Sequence, residues 1–251
     1  MLSLIVPDWP APSNVFAYTS TRQGGESTGV YAGCNVGLHV GDNASHVLAN
    51  RAGLPESDRL VWLNQVHGNT VVVLDATSLA LETGATEADA SLSRTPDVAC
   101  AIMTADCVPV LLTNKAGTEV AAVHAGWQGL DSQIIAETVK RLHACSQDLL
   151  AWIGPAISQA CYEVPDSLAS RFAQYDGVIK PAGVDGKSLL DLAGIAAKQL
   201  AACGVEHVVN SGLCTYRDET RFFSHRRATH QHHQTTGRMV SVIGMRAIEP
   251  S

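Results

Sequence analysis

The chain has 251 residues and a formal net charge of −7, with 46% hydrophobic and 16% charged residues. A chain of this length buries a large core without structural metals or disulfides, so a metal site in it is more readily functional than structural. The acidic balance excludes a broad nucleic-acid surface, which needs a basic excess. No run approaches the roughly 18 apolar residues of a membrane-spanning helix.

The opening segment MLSLIVPDWPAPSNVFAYTS has no Lys or Arg and lacks the regions of a secretory signal. The seven cysteines, at 34, 100, 107, 145, 161, 203 and 214, are irregularly spaced and form no CxxC pair. Together these features lead us to expect free thiols in a reducing cytoplasm. Residues 20–43, rich in Gly, Ser and Asn, read as a long ordered loop, and loops of that length are often functional. A short helix is expected over 43–53, capped by Asn43. The β-rich runs Val61–Val66 and Thr70–Leu74 flank His67-Gly68-Asn69 and predict a hairpin with His67 at its turn. Residues 76–90 read as loop. VACAIMTADCVPVLLT predicts two strands broken at Ala105-Asp106-Cys107. A turn at Asn114–Gly117 then leads to a strand over Glu119–His124.

The sequence AGWQGLD opens an expected helix over 130–144, with Leu130, Ile134, Ile135, Val139 and Leu142 on one face. A strand over 149–154 and helices over 165–174 and 188–203 follow. The second helix has Leu189, Leu192, Ala196 and Leu200 on one face and Gly204 just past its end. A strand over 205–210, a loop through 235 and a strand over 238–245 complete the chain. Hairpins mixed with helices, without regular βαβ repeats, predict an α+β fold in a single layered domain spanning 1–251, with mixed β-sheet and flanking helices.

His67, Cys107 and His124 each end a predicted strand or sit in the break between two. Each is followed by small or turn-forming residues. Side chains on strand ends at one sheet edge can converge on a point. The spacing H-x39-C-x16-H is no standard local metal motif, so spacing alone says little. Residue type says more: two imidazoles and a thiolate leave a fourth tetrahedral position open, the arrangement of a catalytic zinc. Zinc there would bring the pKa of bound water to about 7. The same set with a weak axial Met is also a copper arrangement, and Met103 is near in sequence.

The motifs NQVHGNTVV, TADCVPVLL and AAVHAGWQGL around these three residues resemble the YfiH-like laccase-domain family. So do STRQGG (20–25), ADA (88–90), WIGPAI (152–157), CYEV (161–164), FFSHRR (222–227) and TGRM (236–239). The matches are collinear from residue 20 to 245. The resemblance implies a cytoplasmic α+β enzyme with a layered fold of the YfiH-like cysteine-hydrolase type. It implies purine nucleoside phosphorylase activity on adenosine, inosine and S-methyl-5′-thioadenosine, with adenosine deaminase activity besides. The family was first labelled polyphenol oxidase. Its two His and one Cys metal ligands map onto His67, His124 and Cys107. One departure stands out: the link after Arg226-Arg227 is longer than the family's and carries His230, His232 and His233. His225 stands where a tyrosine is expected. This stretch reads as an exposed polar loop, with an extra metal site as the alternative.

Phosphorolysis needs cations for phosphate. The chain has no GxxxxGK[ST] loop, so arginines are the candidates, with Arg22 and Arg226 chosen. Deamination needs a proton shuttle, and Asp106 beside Cys107 is the candidate. Gln65 and Asn64 could orient the ligands or contact the purine, and Asn35 and Asp89 are weaker candidates. The expected cofactor is zinc, with copper the alternative. The expected partners are purine nucleosides and phosphate, with no nucleic acid and no membrane; nothing in the sequence fixes an oligomeric state. Three rival readings stand: a copper polyphenol oxidase, a metal-free Cys107/His124 hydrolase, and a non-enzymatic metal-binding protein. The single His-x-His pair, His230-Gln231-His232, weakens the first, because a multicopper centre uses several.

Overall fold

The computed structural model describes residues 2–80 and 86–247. Its first strands are β1 (Leu4–Ile5), β2 (Val15–Ser20), β3 (Leu60–Trp62), β4 (Val71–Leu74), β5 (Ala90–Ser93), β6 (Ala99–Thr104) and β7 (Val108–Asn114). They are followed by β8 (Val120–Ala125), β9 (Leu149–Ile153), β10 (Glu163–Pro165), β11 (Ile179–Pro181), β12 (Lys187–Leu190), β13 (His207–Asn210) and β14 (Met239–Met245). The helices are α1 (Ala44–Ala52), α2 (Trp127–Asp131), α3 (Ile134–Val139), α4 (Asp166–Ala169), α5 (Leu192–Ala202) and α6 (His225–His230).

Two mixed sheets stack face to face. One is five-stranded in the order β1-β2-β14-β6-β3, and the other six-stranded in the order β13-β9-β7-β8-β5-β4. Val61, Cys100, Ile102 and Ile243 from the first meet Leu111, Val120, Ala122 and Trp152 from the second in a dry interface. The far face of the six-stranded sheet is covered by α3 and α5 through Ile134, Ile135, Ile195 and Leu200. The far face of the five-stranded sheet packs Phe16, Tyr18, Met103 and Val240 beneath Cys34, Val36 and Leu54. A small sheet in the order β10-β12-β11 stands beside the helical layer. This is an α+β layered fold, as the mixture of predicted elements indicated. No helix among the described residues is long and apolar enough to cross a membrane.

Several local expectations hold in detail. Asn43 caps α1 by accepting from the Ser45 amide. Asn114–Gly117 turns the chain between β7 and β8, and Gly204 takes the left-handed conformation (φ 84°) after α5.

Others do not hold. The runs around His67 form no hairpin: β3 pairs in parallel with β6, and β4 pairs in parallel with β5 in the other sheet. The chain crosses between sheets through 63–70, where the Val66, His67 and Gly68 amides bond the Asp89 side chain instead of a strand. The expected helix over 130–144 is broken at Gln133 (φ 63°). The Ser132 hydroxyl donates to the Gln128 and Gly129 carbonyls, and the Glu119 carboxylate takes the His143 and Ala144 amides that a longer helix would use. The apolar face was read correctly, since Leu130, Ile134 and Ile135 are fully buried.

The expected helix over 188–203 begins only at Leu192. Residues before it pair as β12 with β10 and β11, and Asp191 accepts from Gly194 to cap α5. The stretch read as loop over 76–90 holds a short 3-10 turn at Ala76–Ala80 and ends where β5 begins; residues 81–85 lie outside the described residues. The loop expected through 235 contains α6.

Candidate active site

The topology brings three chain segments to one end of the sandwich. Because β3 and β6 are parallel neighbours, both leave the five-stranded sheet at the same end. Each crosses to the other sheet through a residue at positive φ, His67 (φ 62°) on the first crossing and Asp106 (φ 90°) on the second. Non-glycine residues hold such conformations only when their surroundings impose them. Pro109 on β7 pairs with His124 on β8, which places the end of β8 beside Cys107.

His67, Cys107 and His124 each offer one donor atom, and these atoms lie within 4.8 Å of one another. Cys107 Sγ stands 3.9 Å from His67 Nε2, and the two imidazoles meet edge to face with centroids 4.7 Å apart. A tetrahedral zinc with ordinary bond lengths needs donor separations of about 3.4 to 3.6 Å, so the set fits after a modest inward shift. Gly126 makes the closeness possible. A Cβ there would lie 3.0 Å from His67 Cδ2 and 3.1 Å from Cys107 Sγ.

Asp89, fully buried at the start of β5's edge, organises two of the three. Its carboxylate accepts from the amides of Val66 (3.2 Å), His67 (2.9 Å) and Gly68 (2.7 Å), which imposes the bend at His67. The same carboxylate lies 2.7 Å from His124 Nδ1. That contact assigns the imidazole hydrogen to Nδ1 and leaves Nε2 as the donor for a metal, the carboxylate–histidine–metal pattern.

The electrostatics follow from this packing. Burial alone would raise the Cys107 thiol, but the His124 charge and hydrogen bonds to His124 and His67 bring it down to about 6. Burial would likewise lower His124, yet the Cys107 thiolate and the Asp89 carboxylate raise it to about 9. Asp89 itself, against the cost of burial, is held below the ordinary carboxylate range by His124 and by the Gly68 and His67 amides. Cys107 and His124 thus form a thiolate–imidazolium pair around neutral pH.

The three donors open into a cavity of about 360 Å³, the size of a small-ligand pocket. Its lining includes the apolar and aromatic side chains of Trp127, Ile157, Tyr162 and Leu192 and the basic ones of His39, His225, Arg226 and Arg238. Arg226 lies 4.8 Å over the Tyr162 ring and donates to the Glu163 carbonyl.

Not every residue singled out from the sequence faces this cavity. Gln65 lines it, but its amide is taken up by the backbone of Met103, which it bonds through both ends. Asn64 is exposed, and its amide nitrogen lies 3.4 Å from Glu87. Asp106 also lines the cavity, with both oxygens engaged by the Thr215 hydroxyl (2.6 Å), the Ser224 hydroxyl (2.9 Å) and the Arg226 amide (2.7 Å). Arg22 lies elsewhere: its guanidinium covers Phe223 and bonds the Glu219 and Ala32 carbonyls. Asn35 is fully buried beneath the cavity and touches the Arg238 amide. The Met103 sulfur accepts from Arg51. His230 bonds the Tyr216 hydroxyl, and the histidines of 225–233 form no ligand group among the described residues.

Asp89, Arg238, His39 and Tyr162 carry more of the site than the sequence reading gave them. The ADA, TGRM and CYEV motifs, which hold Asp89, Arg238 and Tyr162, could have signalled it.

Residues 16–246 match a family described as multi-copper polyphenol oxidoreductase laccase. The chain belongs to this laccase-like family, the one its motifs resemble. Purine nucleoside phosphorylase YfiH of Escherichia coli is 44% identical over 249 residues, covering 97% of this chain and 99% of the relative. A purine nucleoside phosphorylase of Pseudomonas aeruginosa is 40% identical, covering 97% and 98%. The crystal structure of a Neisseria meningitidis protein is similar with a TM-score of 0.88 at 38% identity, covering 97% of this chain and 99% of that one.

Proposed function

We propose that this chain is a zinc-dependent purine nucleoside phosphorylase acting on adenosine, inosine and S-methyl-5′-thioadenosine, with adenosine deaminase activity at the same site. The observation that carries this reading is the His67–Cys107–His124 donor set in the lining of a cavity that also carries aromatic, apolar and basic side chains. The names of the relatives point the same way.

In phosphorolysis a phosphate oxygen bonds to C1′ of the ribose as the bond from C1′ to the purine breaks. The electron pair leaves with the base, which takes up a proton. Trp127, Ile157, Tyr162 and Leu192 offer the flat apolar surface a purine needs. Arg226 stacks on Tyr162 and extends that surface. His67, Cys107 and His124 would hold the zinc, which supplies Lewis acidity for deamination and for charge developing on the substrate. Asp89 fixes the orientation of His67 and His124. Asp106 serves as a positioning residue for Arg226 and α6 in place of the proton shuttle expected from sequence, because three donors already occupy its oxygens.

A copper-oxidase reading has the family description in its favour. Against it, Met103 turns its sulfur to Arg51, and one three-donor group is present among the described residues. Incubation of adenosine with metal-analysed protein, with and without phosphate, separates the readings. Adenine formed only with phosphate, inosine formed without it, and about one zinc per chain are expected. Neither base product from zinc-loaded protein, or oxidation of phenols only when copper is bound, would overturn the proposal.

A further inference from the structure

Two arginines, Arg226 and Arg238, line the cavity in a chain whose net charge is −7, so general composition does not account for them. The guanidinium of Arg238 is only partly engaged by the protein. One terminal nitrogen is held by the Thr236 (2.9 Å) and Gly237 (3.2 Å) carbonyls. The remaining guanidinium donors meet no protein acceptor, and no carboxylate pairs with it, among the described residues. Arg227 shows what a structural arginine looks like here: its terminal nitrogens are consumed by the Thr215, Tyr216 and Phe222 carbonyls.

The surroundings of Arg238 are built to hold it. Asn35 Oδ1 accepts from the Arg238 amide (2.9 Å) and from the Gly37 amide (3.0 Å), and Asn35 Nδ2 donates to Asp42 (2.8 Å). A Cβ at Gly37 would lie 2.9 Å from Arg238 Cγ, so glycine there lets the loop close over the side chain. The same loop delivers His39 to the cavity.

A second, independent observation points to a ligand. The Thr104 hydroxyl is buried, 1% exposed, and has no hydrogen-bond partner. Thr104 lines the cavity and pairs across the sheet with Met239, one residue from Arg238. An orphaned hydroxyl costs stability unless something meets it. A guanidinium fork, a hydroxyl and two imidazoles in the lining of one cavity, the imidazoles near enough to feel the Arg238 charge, match the several acceptor oxygens of a tetrahedral oxyanion.

We propose that Arg238, with His39, His225 and the Thr104 hydroxyl, forms an anion subsite for inorganic phosphate, and that Asn35 positions it. The choice of phosphate as the anion rests on the phosphorylase reading above. The nucleoside then rests against Trp127, Tyr162 and Leu192 in the same cavity.

Calorimetric titration of inorganic phosphate into the zinc-loaded full chain tests this directly. Arg238→Met is expected to weaken phosphate binding at least tenfold, and Arg238→Lys, which keeps the charge without the fork, by less. Thr104→Val is expected to weaken it severalfold with zinc content intact. In turnover, the same variants raise KM for phosphate more than KM for adenosine. Phosphate binding that these variants weaken, without any phosphate-dependent adenine release, would uphold the subsite and sink phosphorolysis. Adenine release with phosphate affinity indifferent to Arg238 would do the reverse. Failure of the wild-type chain to bind inorganic phosphate overturns the subsite. So does Arg238-dependent binding of adenosine 5′-monophosphate in its place, which would assign the anion to a nucleotide.

Discussion

Asp89 shows how one side chain can set a site's chemistry without touching a substrate. It replaces strand hydrogen bonds for Val66–Gly68 and fixes the hydrogen on His124. Asp89→Asn keeps the shape but puts a donor NH2 where acceptors are needed. Zinc affinity should fall on the order of 10- to 100-fold, measured by competition with a chromophoric chelator; unchanged affinity would refute the role. The thiolate–imidazolium pair makes a further prediction. Cys107 is depressed to about 6 and His124 raised to about 9. Between those values the Cys107–His124 pair holds one proton, on His124, and zinc requires both groups deprotonated. Zinc binding should therefore release about one proton per ion from this pair in that window. Below it the pair's contribution should rise, as the thiol also protonates, and above it fall away, as His124 loses its proton. Calorimetry in buffers of different ionisation enthalpy reads this count.

At the scale of elements, the sequence was most legible where side chains bond to their own neighbourhood. The Asn43 cap, the Asn114–Gly117 turn and the apolar face from Leu130 to Ile135 all came through. It was least legible where a remote carboxylate competes for backbone amides. Asp89 undoes the hairpin read at His67, and Glu119 ends the helix read over 130–144; neither effect is visible in local periodicity. The donor set was legible by residue type but not by spacing, since its convergence depends on two sheet crossings. Arg238 was missed although the TGRM motif holds it, because nothing local to that motif says which cavity its side chain faces. Glu119 gives the prediction at this scale. Glu119→Ala strands the His143 and Ala144 amides, along with the Arg94 partner. A loss of about 2 to 4 kcal/mol in urea unfolding is expected, with zinc content unchanged. A loss within experimental error would mean that the chain end of α3 is held by something else.

For the molecule as a whole, the donor set spans both sheets. His67 and Cys107 lie on the crossings, and His124 lies on β8. A metal bound only by the assembled sandwich stabilises it by mass action, about 2.7 kcal/mol at a hundredfold excess over Kd. Chelation of zinc should lower Tm by several degrees, and Cys107→Ala should abolish that difference. Loss of activity in Cys107→Ala with full zinc retention would instead favour a nucleophilic cysteine. Ile102→Ala, in the dry layer between the sheets, should cost about 2 to 5 kcal/mol by chemical denaturation.

The position of β14 has a further consequence, for synthesis. This strand, the last in the chain order, lies between β2 and β6 in the middle of the five-stranded sheet. Until it leaves the ribosome, two strands from the first half have no partner on that side, and Arg238 has not yet been delivered. The metal donors are all translated by residue 124, but the frame that holds them is closed only by β14, Met239–Met245. Assembly of the active site therefore waits for β14, and a nascent chain stalled before Met239 should be protease-sensitive throughout its first sheet.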